Sequence, residues 1–345
     1  ELHKFESAAS KCTRTRRTGK TQVWRKDGSA WWDGFVICGQ IWACPVCAYR
    51  IALQRSKEVW AVIRAIRHIG GAVYMVTATI PHSRKKVVKS TRKAATKAHN
   101  RKYALKSLRQ AVTRSHTRVF SGRPWKKIEH DLGIIGWVRA LEVTYGWLFG
   151  WHPHLHTLLF TRHPLSKAQI DVLLQFLYGR WSDAVVAAGY RPPHSEHGLV
   201  ISRGESAGDY ISKICHQGLG HQGLAAEISQ AGSKKGRLAS RTVPQIIDDW
   251  GDYRRESDRL LLLEWLTGMR GARHLTWSKG FRTQYLPAEQ PAQDSDPSTA
   301  EFVCQFTGQQ TDFLIQYDPT LRWRIPEAAK KHGRPGVMAE LASFN

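Results

Sequence analysis

Two β-prone runs, IIGWVRALEVTYG (residues 134–146) and HLHTLLF (154–160), are separated by seven residues rich in Gly, Trp and His. A crossover between parallel neighbours takes a dozen or more residues, so strands this close in sequence pair antiparallel. That disfavours a doubly wound parallel sheet. The flanking segments agree. AVYMVTATIP reads as a strand ended by proline, HGLVISR as another, and LSKAQIDVLLQFLYGRWSDAVVAAG as a helix with an apolar face. A further helix is expected between Pro45 and the Gly70-Gly71 pair, on the recurrence of Ile51, Val59, Trp60, Ile63 and Ile66. Helix is also expected over ESAGDYISKICHQ and TVPQIIDDWGDYRRESDRLLLLEWLTGM. With helix also expected over the basic stretch at 82–127, the order strand, helix, strand, strand, helix, strand, helix implies an α+β fold, a mainly antiparallel sheet with helices packed on it.

The two central runs also carry chemistry. His154 and His156 are two apart in a strand, so their rings share one side. Two neutral imidazoles supply half of a divalent-metal site. Glu142, on the preceding strand, lands on the same face when paired with either histidine, unless a bulge flips the parity. His152 is the alternative third ligand. Two histidines and a carboxylate with open positions suit Mg²⁺ or Mn²⁺ at a phosphate, with zinc also compatible.

Charge identifies the partner. The chain has 345 residues and a net charge of +24, and the stretch His82–Lys127 contains sixteen Lys or Arg and neither Asp nor Glu. So concentrated a charge favours a polyanion through counterion release, and the block has no clear stripe of large apolar residues to suit a membrane. Arg84, Lys85, Lys86, Lys89, Arg92 and Lys93 are its densest phosphate-binding candidates. Near the start, TRTRRTGKTQVWRKDGSAWW combines Arg14, Arg16 and Arg17 with Trp31 and Trp32, a mixture suited to phosphate contact and base stacking. These tryptophans can equally form the core of a small module. No run reaches the apolar length of a membrane span, and the first residues lack the apolar core of a secretory signal, so a cytoplasmic protein is expected.

Four of the six cysteines cluster in sequence terms. Cys44-x-x-Cys47 leads into the expected helix, Cys38 precedes it by six residues, and Cys12 is the natural fourth ligand of a structural zinc, with His3 as the spare. Cys215 and Cys304 read as ordinary buried thiols. In GDYISKI, Tyr210 and Lys213 are three apart on one face of an expected helix. Tyr210 is a candidate nucleophile towards a phosphodiester, and Lys213 a candidate for stabilising the developing charge.

EVTYGWLFGWHPHLHTLLF and GDYISKI together resemble the second and third motifs of HUH endonucleases, specifically the rolling-circle replication initiator (Rep) proteins of bacterial plasmids. VTATIP looks like the first motif, and RHLTWSKGFR and Cys-Pro-x-Cys are similar to segments of that group. The resemblance spans roughly residues 38–282. It implies a ferredoxin-like or palm-like central antiparallel sheet. It also implies metal-dependent nicking and joining of single-stranded origin DNA, with a 5′-phosphotyrosine and a free 3′-OH. In one Rep subgroup a glutamate four residues before the tyrosine activates water in the terminating step. Ser206 stands there in this chain, with Glu205 one position further back and Asp209 adjacent to the tyrosine, so Glu205 carries that role only by approximation.

The expected organisation is an N-terminal zinc-binding, DNA-contacting module (1–70), a nicking domain with a basic insertion at 82–127 (71–286), and a linker with a small C-terminal extension (287–345). DNA is the expected partner, with a host helicase or polymerase and a homodimer on DNA as further candidates. Two other readings compete: an HUH transposase or conjugative relaxase, and a non-catalytic zinc-containing DNA-binding protein.

Overall fold

The computed structural model describes residues 9–26, 28–82, 102, 104–203, 240–286, 300–318 and 321–342. In chain order its elements are β1 (Lys20–Lys26), β2 (Ser29–Asp33), α1 (Pro45–His68), β3 (Ala72–Thr79), α2 (Leu105–Val119), α3 (Gly122–Asp131), β4 (Ile134–Gly146), β5 (Gly150–Thr161) and α4 (Lys167–Ala187). There follow β6 (Leu199–Arg203), β7 (Ser240–Arg241), α5 (Val243–Tyr253), α6 (Glu256–Gly268), β8 (Leu275–Trp277), α7 (Phe281–Tyr285), β9 (Glu301–Thr307), α8 (Gly308–Tyr317) and α9 (Leu321–Ala342). They form two compact units, one of Glu1–Gln40 with Ala288–Asn345, the other of Ile41–Pro287. The expected division at residue 70 falls inside the larger one.

The larger unit is built on a sheet of order β6-β3-β5-β4-β7, with β8 also pairing β4, and its pairings are all antiparallel. The α+β arrangement with packed helices is therefore as the sequence reading expects. Side chains alternate along each strand, so the two faces bury different sets. On one face Val73, Val138, Ala140, Leu158 and Phe160 pack with Val59, Val62, Ile63 and Ile66 of α1. On the other, Tyr74, Leu141, Leu155 and Leu159 join Leu108 and Val112 of α2, Leu173, Leu177 and Trp181 of α4, and Trp265 of α6. A fully buried Leu, Ile or Val contributes roughly 1.5–3 kcal/mol by transfer, so this double layer holds the central strands rigidly.

Local chemistry fixes the ends of these elements. Ser166 and Gln169 form a capping box at the start of α4, satisfying two amides that the first turn leaves unpaired. At Gly136 a β-carbon would meet the Phe281 ring at 2.2 Å, so only glycine lets α7 close over β4 there. The β4–β5 register shifts only between Ile134 and Gly136; beyond that it runs unbroken to Gly146↔Gly150.

The smaller unit is a three-stranded antiparallel sheet of order β2-β1-β9. Val23, Val303 and Phe306 pack with Leu321, Ile325, Ala329 and Val337 of α9, whose helix is broken at Gly333. The stretch read in the sequence for phosphate contact and base stacking thus forms a hairpin that its composition does not predict. The extension at the C-terminal end supplies the sheet's third strand, pairing Lys20 with Thr307. Among the described residues, no helix is long and apolar enough to cross a membrane.

Candidate metal centre

Glu142 of β4 pairs directly with His154 of β5, and Ala140 with His156. On the other side of β5, Thr79 pairs with His154 and Thr77 with His156. The site therefore lies in the middle of the sheet, on the face shared with α1. No bulge intervenes, so the parity condition set by the sequence is met.

The three side chains converge on one point. Glu142 Oε2 accepts from His154 Nε2 at 2.7 Å and from His156 Nε2 at 2.8 Å. The three candidate ligand atoms lie within 4.8 Å of one another, so these residues could hold a metal ion. The far ring nitrogens are engaged too: His154 Nδ1 contacts the carbonyl oxygen of His152 at 3.2 Å, and His156 Nδ1 contacts Thr77 Oγ1 at 3.1 Å. Such outer contacts fix each ring so that Nε2 points to where a cation would sit once it displaced the Nε2 proton. One carboxylate oxygen and two imidazole nitrogens, with the remaining positions open, fit a divalent cation that also takes oxygen ligands.

Electrostatics agree with the geometry. Burial opposes ionisation of Glu142, but the hydrogen bonds from His154 and His156 outweigh it and hold the carboxyl far below the usual range. His154 is itself desolvated, yet the hydrogen bond to Glu142 raises its pKa. Desolvation leads at His156, where the pKa falls despite the same carboxylate. A buried carboxylate is costly without cationic partners; here two imidazoles share one oxygen.

His152, the alternative third ligand, stands apart from the convergent set. Its ring stacks on His82 with centroids 4.3 Å apart, and burial, followed by the neighbouring His154 and His82, pulls its pKa down to about 3. Neither His82 nor the exposed cluster of His194, Glu196 and His197, whose spacing is visible in the sequence, is among the residues predicted from sequence.

Of the expected zinc ligands, Cys12 and Cys38 belong to the smaller unit, and Cys44 and Cys47 to the larger one. Cys44 caps α1 and Cys47 sits in its first turn, where the positive end of the helix dipole favours thiolate. His3, the spare ligand, lies outside the described residues.

Tyr210, Lys213, Glu205 and Cys215 also lie outside the described residues, as do Arg84, Lys85, Lys86, Lys89, Arg92 and Lys93. Of the N-terminal candidates, Arg16 forms a bidentate pair with Asp312 and Arg17 pairs with Asp33. Trp32 donates its indole N–H to the Arg322 carbonyl and packs against Phe35 and Phe306, while Trp31 lies half-buried opposite Trp24. Arg14 is exposed. Cys304 is half-buried, and burial raises its thiol to about 11. A cavity of about 430 Å³ lined in part by Lys102, Arg114, Arg118 and Tyr190 shares no residue with the triad.

The chain is 30% identical over 211 residues to "Protein rep" of Streptomyces lividans, an overlap covering 52% of this chain and 46% of that protein. It is 29% identical over 133 residues to a "Neomycin resistance protein" of Streptomyces cyanogenus, covering 36% of this chain and 30% of that one. The chain thus spans less than half the length of these curated relatives. No protein-family profile matches it, and no solved structure matches it. The resemblance to Rep proteins carried by the motifs is borne out by this similarity to a protein of that name.

Proposed function

We propose that this chain is a Rep-type replication initiator of the HUH class, which nicks and rejoins single-stranded DNA at an origin. The observation that carries this reading is the convergence of Glu142, His154 and His156 at 2.7–2.8 Å on one sheet face. A divalent cation held there, Mg²⁺ or Mn²⁺, would polarise a phosphoryl oxygen. The two histidines and Glu142 would hold that cation, and Thr77 keeps the His156 ring in place.

Tyr210 is the proposed nucleophile. Its oxygen bonds to phosphorus as the bond from phosphorus to the 3′ oxygen breaks. The phenol proton is lost, the 3′ oxygen gains one, and the 5′ phosphate remains on tyrosine. Lys213 stabilises the negative charge that builds during transfer, and Glu205 activates water in the terminating step. The basic segment with Arg84, Lys85, Lys86, Lys89, Arg92 and Lys93 binds the DNA backbone, with Arg14, Arg16, Arg17, Trp31 and Trp32 adding contacts. Zinc on Cys12, Cys38, Cys44 and Cys47 orders the N-terminal region. The same reading implies action in the bacterial cytoplasm, with a homodimer on DNA and a host helicase or polymerase as partners.

The test is a denaturing gel of 3′-labelled single-stranded oligonucleotides incubated with protein and Mn²⁺. A slowly migrating adduct, absent in EDTA and in Tyr210→Phe, is the expected result. An adduct that survives Tyr210→Phe moves the nucleophile elsewhere. DNA binding with no adduct on any substrate makes this a non-catalytic DNA-binding protein.

A further inference from the structure

The hairpin that carries the candidate metal ligands ends in an unusual tip. Gly146 pairs with Gly150, so Trp147, Leu148 and Phe149 form a three-residue loop closed by Gly150 at φ +82°. Such a loop requires one residue in the left-handed region, which Gly150 supplies, and makes no demand for apolar side chains before it. Polar turn formers would serve the fold equally well. Instead Trp147 is 77% exposed and Phe149 53% exposed, with Leu148 also open to solvent. A consecutive exposed apolar triple points to a binding surface.

The tip is continuous with the triad. Phe149 meets the His82 ring edge-on at 6.4 Å, His82 stacks on His152 at 4.3 Å, and His152 lies 5.0 Å from His154. A row of flat rings therefore runs from the candidate metal ligands to the end of the hairpin. His82 is also the residue from which the carboxylate-free basic stretch sets out. Exposed flat rings on a chain of net charge +24 complement a polymer with flat bases and a phosphate backbone. At about 3.3 Å per residue, Trp147 lies on the order of 16 Å along β4 from Glu142, a span of roughly three to five nucleotides of single strand.

We infer that Trp147 and Phe149 form a base-stacking platform that engages unpaired nucleotides a few positions from the phosphate at the triad. The occupant is single-stranded nucleic acid, held by stacking and therefore with little sequence preference. The assignment of the triad to a phosphate rests on the function proposed above; the stacking itself does not.

The experiment compares the full chain with the double variant Trp147→Ala, Phe149→Ala by fluorescence anisotropy in EDTA. The probes are oligothymidylate of about 20 nucleotides and an abasic strand of the same length, which keeps the phosphates and removes the bases. The expected result is a roughly five- to 100-fold loss of affinity for oligothymidylate and no change for the abasic strand. Trp147→Phe with Phe149→Tyr should recover most of the loss. Equal affinities of wild type and double variant for oligothymidylate overturn the platform. So does an equal loss on both strands, or a change in sedimentation with unaltered DNA affinity, which makes the tip a self-association surface. The covalent-adduct gel run on the same preparations separates the two ideas. Base-dependent binding without an adduct sinks the nicking reading alone, and an adduct with no base dependence at the tip sinks the platform alone.

Discussion

Two buried histidines sit on opposite faces of the same strand pair and have opposite characters. His156 is 2% exposed, with Nδ1 at Thr77 and Nε2 at Glu142. His116, from α2, is 1% exposed, with Nε2 at Thr157 Oγ1, the residue next to His156. Its Nδ1 has no hydrogen-bond partner among the described residues, and its ring stacks on Phe120 and meets Trp137 edge-on. Desolvation, reinforced by Arg139, pushes its pKa well below the ordinary value. Burial and a threonine are common to both. What sets them apart is a carboxylate and a second imidazole converging on the outer nitrogen, and those make a packed ring a candidate ligand.

The comparison breaks most sharply at the carboxylate. Glu142→Ala should lower Mn²⁺ affinity by on the order of 100-fold or more in titration calorimetry, since even outer-contact losses cost 10- to 100-fold. His116→Ala should leave that affinity unchanged; a loss of similar size would mean the two histidines are one system. On stability the order reverses. His116→Ala leaves a cavity beside Phe120 and Trp137 and strips Thr157 of its partner, so urea unfolding should show a loss of about 2–4 kcal/mol.

A finer cut is Thr77→Val, which removes the contact at His156 Nδ1 while keeping the side chain's shape. Mn²⁺ affinity should fall roughly 10-fold, and an unchanged affinity would make Thr77 a packing residue only. The smallest effect is pH-dependent. The folded pKa of His116 lies below its unfolded value of about 6.5, so the unfolded state binds the extra proton first. Stability from this group is complete above that pH and falls as pH drops through 6.5, by at most about 1.4 kcal/mol per pH unit. Comparing urea midpoints of wild type and His116→Phe between neutral and mildly acidic pH isolates this slope, which the variant should lack.

The strand pair and its candidate ligands are readable because two local rules suffice. A short connection forces antiparallel pairing, and a period of two puts Glu142, His154 and His156 on one face. The helix after Pro45 and the helix from Lys167 followed from their apolar spacing in the same way. The smaller unit was not readable as a whole, because β1 finds its third strand, β9, some 280 residues away and no local pattern announces that. The β1–β2 hairpin leaves a trace in Asp27-Gly28, a turn-forming pair, but the basic and aromatic composition around it points to DNA contact instead. The reading of TVPQIIDDWGDYRRESDRLLLLEWLTGM as helix holds for α5 and α6 separately; Arg254, at φ +50°, divides them.

The three convergent side chains come from one uninterrupted hairpin, with sequence separations of only 12 and 14 residues. Closing so short a loop costs little chain entropy, and hairpins of this kind form in about 1–10 μs. The smaller unit must instead wait for its last strand, on the far side of everything else. During synthesis the nascent chain therefore holds all three candidate ligands once Thr161 has left the ribosome. A cation captured then would act as a clamp that fixes strand register while the covering helices α4 and α6 are still unmade.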